Sequence, residues 1–186
     1  MDQKRLLIGI SGASGSIYGI RLLEVLKDLS VEIHLIITAG AKDIITHETS
    51  YSLEQVQGLA DVLYGDDDLF AGPASGSYQL EGMIITPCSM KTLAAIAHGY
   101  CNTLLSRSAS CMLKESRPLI LAIRETPLDL IALENMVTAK RAGAIVLPAM
   151  PGFYHQPQTI DDLIDFIVGK ILDQLHLQHD HYTRWK

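Results

Sequence analysis

KRLLIGISGASGSIYGIRLLEVL, residues 4–26, decides the fold. Leu6, Leu7, Ile8 and Ile10 make a continuous apolar run, the pattern of a strand covered on both faces. Gly9, Gly12 and Gly15 punctuate a turn, after which Ile17, Ile20, Leu22, Leu23 and Leu26 recur at helical spacing. A buried strand that runs through glycines into an amphipathic helix is the opening of an α/β domain. The helix start also offers unpaired N–H groups and the positive end of its dipole, which suits a phosphate. The plainer reading is a tight turn that holds nothing.

The spacing G-x-x-G-x-x-G is not the dinucleotide fingerprint G-x-G-x-x-G. The second strand, VEIHLIIT (31–38), ends without the acid that would hold a ribose. A mononucleotide such as FMN therefore fits better than NAD.

The chain has 186 residues, 48% of them hydrophobic, enough for one domain with its own core. Its net charge of -6 and lack of any Lys/Arg run exclude a nucleic-acid surface. Cys88, Cys101 and Cys111 are odd in number and lack paired metal spacing, which points to a reducing cytoplasm. No apolar stretch approaches a membrane span, and no charged-then-apolar leader precedes the first strand.

Strands and helices alternate onward. Strands are predicted at 32–38, 83–86, 118–123 and 144–147. Helices are predicted at 39–47, 53–60, 90–98, 103–115, 128–141 and 159–175. This order predicts a single-domain, doubly wound, Rossmann- or flavodoxin-like parallel sheet over 1–175, with helices on both faces and a tail at 176–186. Residues 65–79 have loop composition, and the run Asp66–Asp68 reads as a solvated loop rather than a cation site.

Three further segments carry chemistry. In GMIITPCSMKTLAAIAHGY (82–100), Pro87 removes an N–H donor and helps end the pairing of the strand 83–86, and Ser89 and Thr92 open a helix, where hydroxyls cap or hold a ligand. Cys88 reads as packing, since no acid–base partner can be assigned to it. In SRSASCMLKESRPLILAIRETPL (106–128), Arg124 and Glu125 follow an apolar strand at the edge where α/β sheets bind ligands. An arginine there can fork a phosphate and the glutamate can orient it, whereas the bland reading is a surface ion pair. In LPAMPGFYHQPQTIDDLIDFIVGKILDQL (147–175), Tyr154 sits in a proline-stiffened loop. Lys170, about three turns into the last helix, could face back toward the ligand edge. His176, His179 and His181 suggest a metal cluster, but a solvated, partly frayed tail is the better reading.

Together these segments, with HETS (47–50), LENM (133–136) and a terminal RW, resemble the UbiX-type flavin prenyltransferases, also described as 3-octaprenyl-4-hydroxybenzoate or phenolic acid decarboxylase subunits. The resemblance runs nearly the whole length. It implies a homo-oligomer, commonly a dodecamer, with FMN at subunit contacts. It also implies transfer of the dimethylallyl group of dimethylallyl phosphate to N5 and C6 of reduced FMN, without a metal. The product would serve UbiD-type decarboxylases, in ubiquinone biosynthesis or aromatic acid decarboxylation.

Carried across by the resemblance, Gly12, Ala13, Ser14 and Thr38 belong to the first FMN segment. Ser89, Met90, Lys91 and Thr92 belong to the second, and Arg124 is shared between flavin and substrate. Glu48 lies near the reacting prenyl carbons, and Lys114, Glu125, Tyr154 and Lys170 surround the prenyl phosphate. Cationic donors aimed at a leaving phosphate are what a site without metal needs to cleave an allylic C–O bond. Ring closure onto C6 then requires a proton to leave, with Glu48 or the released phosphate as base. Ser110, Ser116 and Lys170 depart from the aspartate, arginine and arginine usual at those places, and a lysine gives up the bidentate fork. The rival readings are an FMN-dependent decarboxylase of the cysteine-decarboxylase type, with His47 as its base, and a flavin-carrying decarboxylase subunit.

Overall fold

The computed structural model describes residues 3–29 and 31–185. Six parallel strands form one sheet: β1 (Lys4–Ile10), β2 (Val31–Ile37), β3 (Val62–Tyr64), β4 (Gly82–Cys88), β5 (Leu119–Ile123) and β6 (Ile145–Pro148). Seven helices connect and follow them: α1 (Ser16–Lys27), α2 (Ala39–Glu48), α3 (Leu53–Gln57), α4 (Met90–Ala97), α5 (Leu104–Lys114), α6 (Leu130–Arg141) and α7 (Ile160–Gln174). The order β3-β2-β1-β4-β5-β6 is doubly wound and reverses direction between β1 and β4. A crevice opens at such a reversal, outside the carboxyl ends of the strands.

The apolar run of β1 explains the two-layer burial. Leu6, Ile8 and Ile10 enter one core with residues of α1, α2 and α7, and Leu7 enters the other with residues of α4 and α5. Two glycines permit the closest approaches. A Cβ on Gly9 would lie 2.3 Å from Leu105, and one on Gly19 would lie 2.4 Å from the Thr86 carbonyl oxygen. α1 therefore lies directly on the sheet near the future crevice.

The secondary elements differ from the sequence expectations at several places, among them the helix predicted at 53–60, which ends at Gln57. β3, three residues long, was not foreseen, because VLY is too short to show a period and its pairing with β2 comes from tertiary context. The loop 65–79 contains a 3-10 turn at Gly72–Ala74. β4 continues to Cys88, but its regular pairing stops at Ile85 on both sides and resumes only at Cys88–Ile123, so the proline interrupts the ladder without ending the strand.

Candidate active site

Among the helices that begin at the carboxyl edge of the sheet with a hydroxyl cap, three start beside one another. Thr38 accepts from the Ala41 amide of α2, Ser89 from the Thr92 amide of α4, and Thr103 from the Ser106 amide of α5. A cap satisfies one orphan donor and leaves other first-turn N–H groups for an anion, with the helix dipole behind them. These starts border a cleft of about 550 Å³, within the range of small-molecule sites. Gly12, Thr38, Ser89, Met90, Lys91, Thr92 and Glu125 all line it. Gly12 and Gly40 face each other there, a Cβ on Gly12 falling 3.5 Å from the Gly40 backbone, so bare backbone is available to a ligand.

Of the remaining lining, Asp66 reads from the sequence as loop, and Ala39, Gly40, Ala95, Asn102, Thr103, Leu105 and Ser106 carry no site signal there. The helix predicted at 103–115 does begin at Thr103, and the reciprocal Thr103–Ser106 capping box is the signal that marks that start as a lining element. Asp66, read as part of a solvated loop, in fact holds that start: its carbonyl and carboxylate oxygens accept from the Leu104 and Leu105 amides at 2.7 and 2.9 Å. Buried Ser11 was also missed. Its hydroxyl donates to the Pro87 carbonyl at 2.8 Å and accepts from the Ser89 amide at 2.9 Å, locking the β1 and β4 crests together.

The start of α1, the anion cradle suggested by the glycine turn, is filled by the protein itself. The Gly15 amide donates to Glu48 Oε2 at 2.8 Å, and the same carboxylate takes bonds from Ser14 and the Ser16 amide. Gly15, at φ 93°, supplies the turn that aims these donors. Partial burial pushes the Glu48 carboxyl up. The three hydrogen bonds and the Arg124 charge outweigh that, leaving its pKa below the usual carboxylate value. Arg124 Nε in turn donates to the Ser14 carbonyl at 3.0 Å. Ser14, Glu48 and Arg124 thus form one cluster, while Ala13 is buried and is not part of the cleft lining. First-turn amides without a protein partner border the cleft at the α2 and α4 starts, whereas those of α5 are taken by Asp66 and Thr103.

The other residues of the expected site stand apart from the cleft. Lys114 ends α5 and pairs with Glu115 at 3.5 Å. It lies about 15 Å along the helix from the α5 start at the cleft. Lys170 lies about 15 Å down α7 from Ile160, bonded to the Tyr182 hydroxyl at 3.4 Å, so it does not turn back toward the ligand edge. Tyr154 is partly exposed and packs edge-on against Phe166 and Trp185. Cys88 is fully buried and burial alone drives its thiol pKa far up, as expected of a packing residue. The tail expected to fray is instead laid on α7, because Asp173 offers a carboxylate to Tyr182, His179 and Arg184.

The Flavoprotein family model matches residues 1–172. The flavin prenyltransferase UbiX of Salmonella typhimurium is 50% identical over 186 residues, covering 98% of each chain. A crystal structure of AnUbiX in complex with FMN and dimethylallyl pyrophosphate superimposes with a TM-score of 0.98 at 44% identity, covering 100% of this chain and 98% of that one. A dodecameric FMN-dependent UbiX-like decarboxylase from Escherichia coli O157:H7 superimposes with a TM-score of 0.96 at 44% identity, covering 98% of this chain and 99% of that one. The chain belongs to the Flavoprotein family, within its UbiX flavin prenyltransferases.

Proposed function

We propose that this protein transfers the dimethylallyl group of dimethylallyl phosphate to N5 and C6 of reduced FMN. The observation that carries the reading is the Ser14–Glu48–Arg124 cluster beside a cleft floored by bare backbone and helix starts. The donor set fits FMN: first-turn amides for its phosphate, the Ser89 and Thr92 hydroxyls, and Lys91 as a cation at the rim. Bound reduced FMN supplies the nucleophilic N5 and C6 positions.

The chain's own groups do the rest. Breaking the C–O bond sends its electron pair to the phosphate, and Lys114, Arg124, Tyr154 and Lys170 stabilise that charge. Glu125, on the cleft wall, orients Arg124 and the phosphate. Glu48 is held ionised and next to Arg124, placed to take the proton that leaves on ring closure.

One copy cannot do this alone, since neither Lys114 nor Lys170 reaches its own cleft. A neighbouring copy supplies them in a homo-oligomer, for which a dodecamer is the proposed size. α6 supports the assembly: Leu130 and Ile131 are 69% and 68% exposed, a face that a second copy would cover. Among the described residues no helix is long and apolar enough to cross a membrane. The three free cysteines suit the reducing cytoplasm proposed as its location. The flavoprotein domain is placed at 1–175 with the tail 176–186 serving it, and the product passes to a UbiD-type decarboxylase.

The test is anaerobic incubation with reduced FMN and dimethylallyl phosphate, followed by mass spectrometry of the released flavin. A flavin heavier by one C5H8 unit supports the transferase. Bound but unmodified FMN overturns it.

A further inference from the structure

Asp173, near the end of α7, is the most heavily bonded carboxylate outside the cleft. Its Oδ2 accepts from the Tyr182 hydroxyl at 2.5 Å, and its Oδ1 is bonded to Arg184 at 2.7 Å and to His179 Nε2 at 3.1 Å. Three bonds from the last ten residues converge on one helix side chain. Gly169 makes the approach possible, because a Cβ there would lie 2.6 Å from the Tyr182 ring and 2.8 Å from His179.

The same tail reaches both residues proposed for the prenyl phosphate on this side of the molecule. Lys170 Nζ donates to the Tyr182 hydroxyl at 3.4 Å and stands 3.5 Å from Asp173 Oδ2. Tyr154 is held edge-on by Trp185, with ring centroids 5.5 Å apart, and by Phe166, which itself packs on Tyr182 at 5.1 Å. Tyr182 therefore touches one chain of contacts to Lys170 and another to Tyr154.

We propose that Leu177–Trp185 is a strap that sets Lys170 and Tyr154 for the prenyl phosphate, with Asp173 and Tyr182 as its positioning residues. The inference rests on the reading of Lys170 and Tyr154 as phosphate groups. A lysine on a four-carbon stem loses rotamer entropy when it binds an anion. Fixing it beforehand by one hydroxyl places that cost in the fold and leaves other ammonium N–H donors for the phosphate. Tyr182 can do this because its proton goes to Asp173, leaving its oxygen to accept from Lys170. Arg184 and Lys170 outnumber Asp173, so the cluster keeps a positive balance that suits an anion.

The experiment compares wild type with Tyr182→Phe, Lys170→Ala and the double variant as FMN-loaded oligomers. It measures KM and kcat for dimethylallyl phosphate, FMN affinity by fluorescence quenching, and Tm. Loss of one hydrogen bond to a charged group predicts a KM about five- to twentyfold higher for Tyr182→Phe, with FMN affinity unchanged. Acting through Lys170, the substitution adds nothing in the Lys170→Ala background. Asp173→Asn gives a second route to the same KM shift. An unchanged KM in Tyr182→Phe, the same fold increase with and without Lys170, or a parallel loss of FMN affinity overturns the strap. If Lys170→Ala itself leaves KM unchanged, the assignment of Lys170 to the phosphate fails instead.

Discussion

The two ends of the proposed site are built from different materials. The flavin end consists of helix starts, glycine backbone and short hydroxyl side chains at one sheet edge, all from a single chain. The phosphate end consists of long side chains, Lys114 and Lys170, carried far down two helices, with Tyr154 at the surface. Backbone groups cost no side-chain entropy to order, so the first end is preformed. On the proposed reading, the second needs a neighbour to bring it near the cleft and a strap to hold it. The two ends are therefore expected to fail separately.

The largest effect is expected at their junction. Glu48→Gln removes the base but keeps the shape, so single-turnover prenylation falls about 10²- to 10³-fold while FMN stays bound. Loss of FMN in that variant would make Glu48 a structural cap of α1 instead. Next, Gly19→Ala drives a Cβ into the Thr86 carbonyl oxygen of β4, the strand that leads to Ser89. It costs about 1–3 kcal/mol, read as a lower Tm with FMN affinity reduced. Tyr154→Phe and Lys114→Ala are milder. Each raises KM for dimethylallyl phosphate about five- to tenfold without moving FMN affinity, since a surface phosphate contact is worth a hydrogen bond or two. A drop in FMN affinity for either would erase the division between the ends.

The smallest effect is in pH. The carboxyl of Glu48 titrates below its ordinary value of 4.5 in the fold. Its contribution to stability is thus fully present above that value and lost as pH falls through the lower folded value. Glu48→Gln flattens this acid limb of Tm, and an unchanged limb would assign it to other carboxylates.

The legibility of the sequence follows the same division. The strand–glycine–helix opening and the P-C-S-x-x-T segment were readable because local pattern dictates them. β3 was not, because three residues hold no period. Glu48 at the start of α1 was not, because the contact spans 33 residues and the glycine turn alone reads as an empty anion site. The folded tail was missed for a similar reason: HLQHDHY is polar enough to fray, and its order comes from Asp173 on α7. The resemblance named the side chains proposed for the phosphate, and the fold leaves Lys114, Tyr154 and Lys170 out of the cleft lining.

Mixed assembly tests the proposed sharing of sites between copies most directly. Glu48→Gln and Lys170→Ala chains are unfolded together, refolded into shared oligomers, and assayed for prenylated flavin. If Lys170 serves another copy's cleft, random mixing leaves roughly a quarter of the sites with both residues intact, and activity returns to about that fraction of wild type. Activity no higher than that of the two separate variants would show that each chain completes its own site, and would contradict the account.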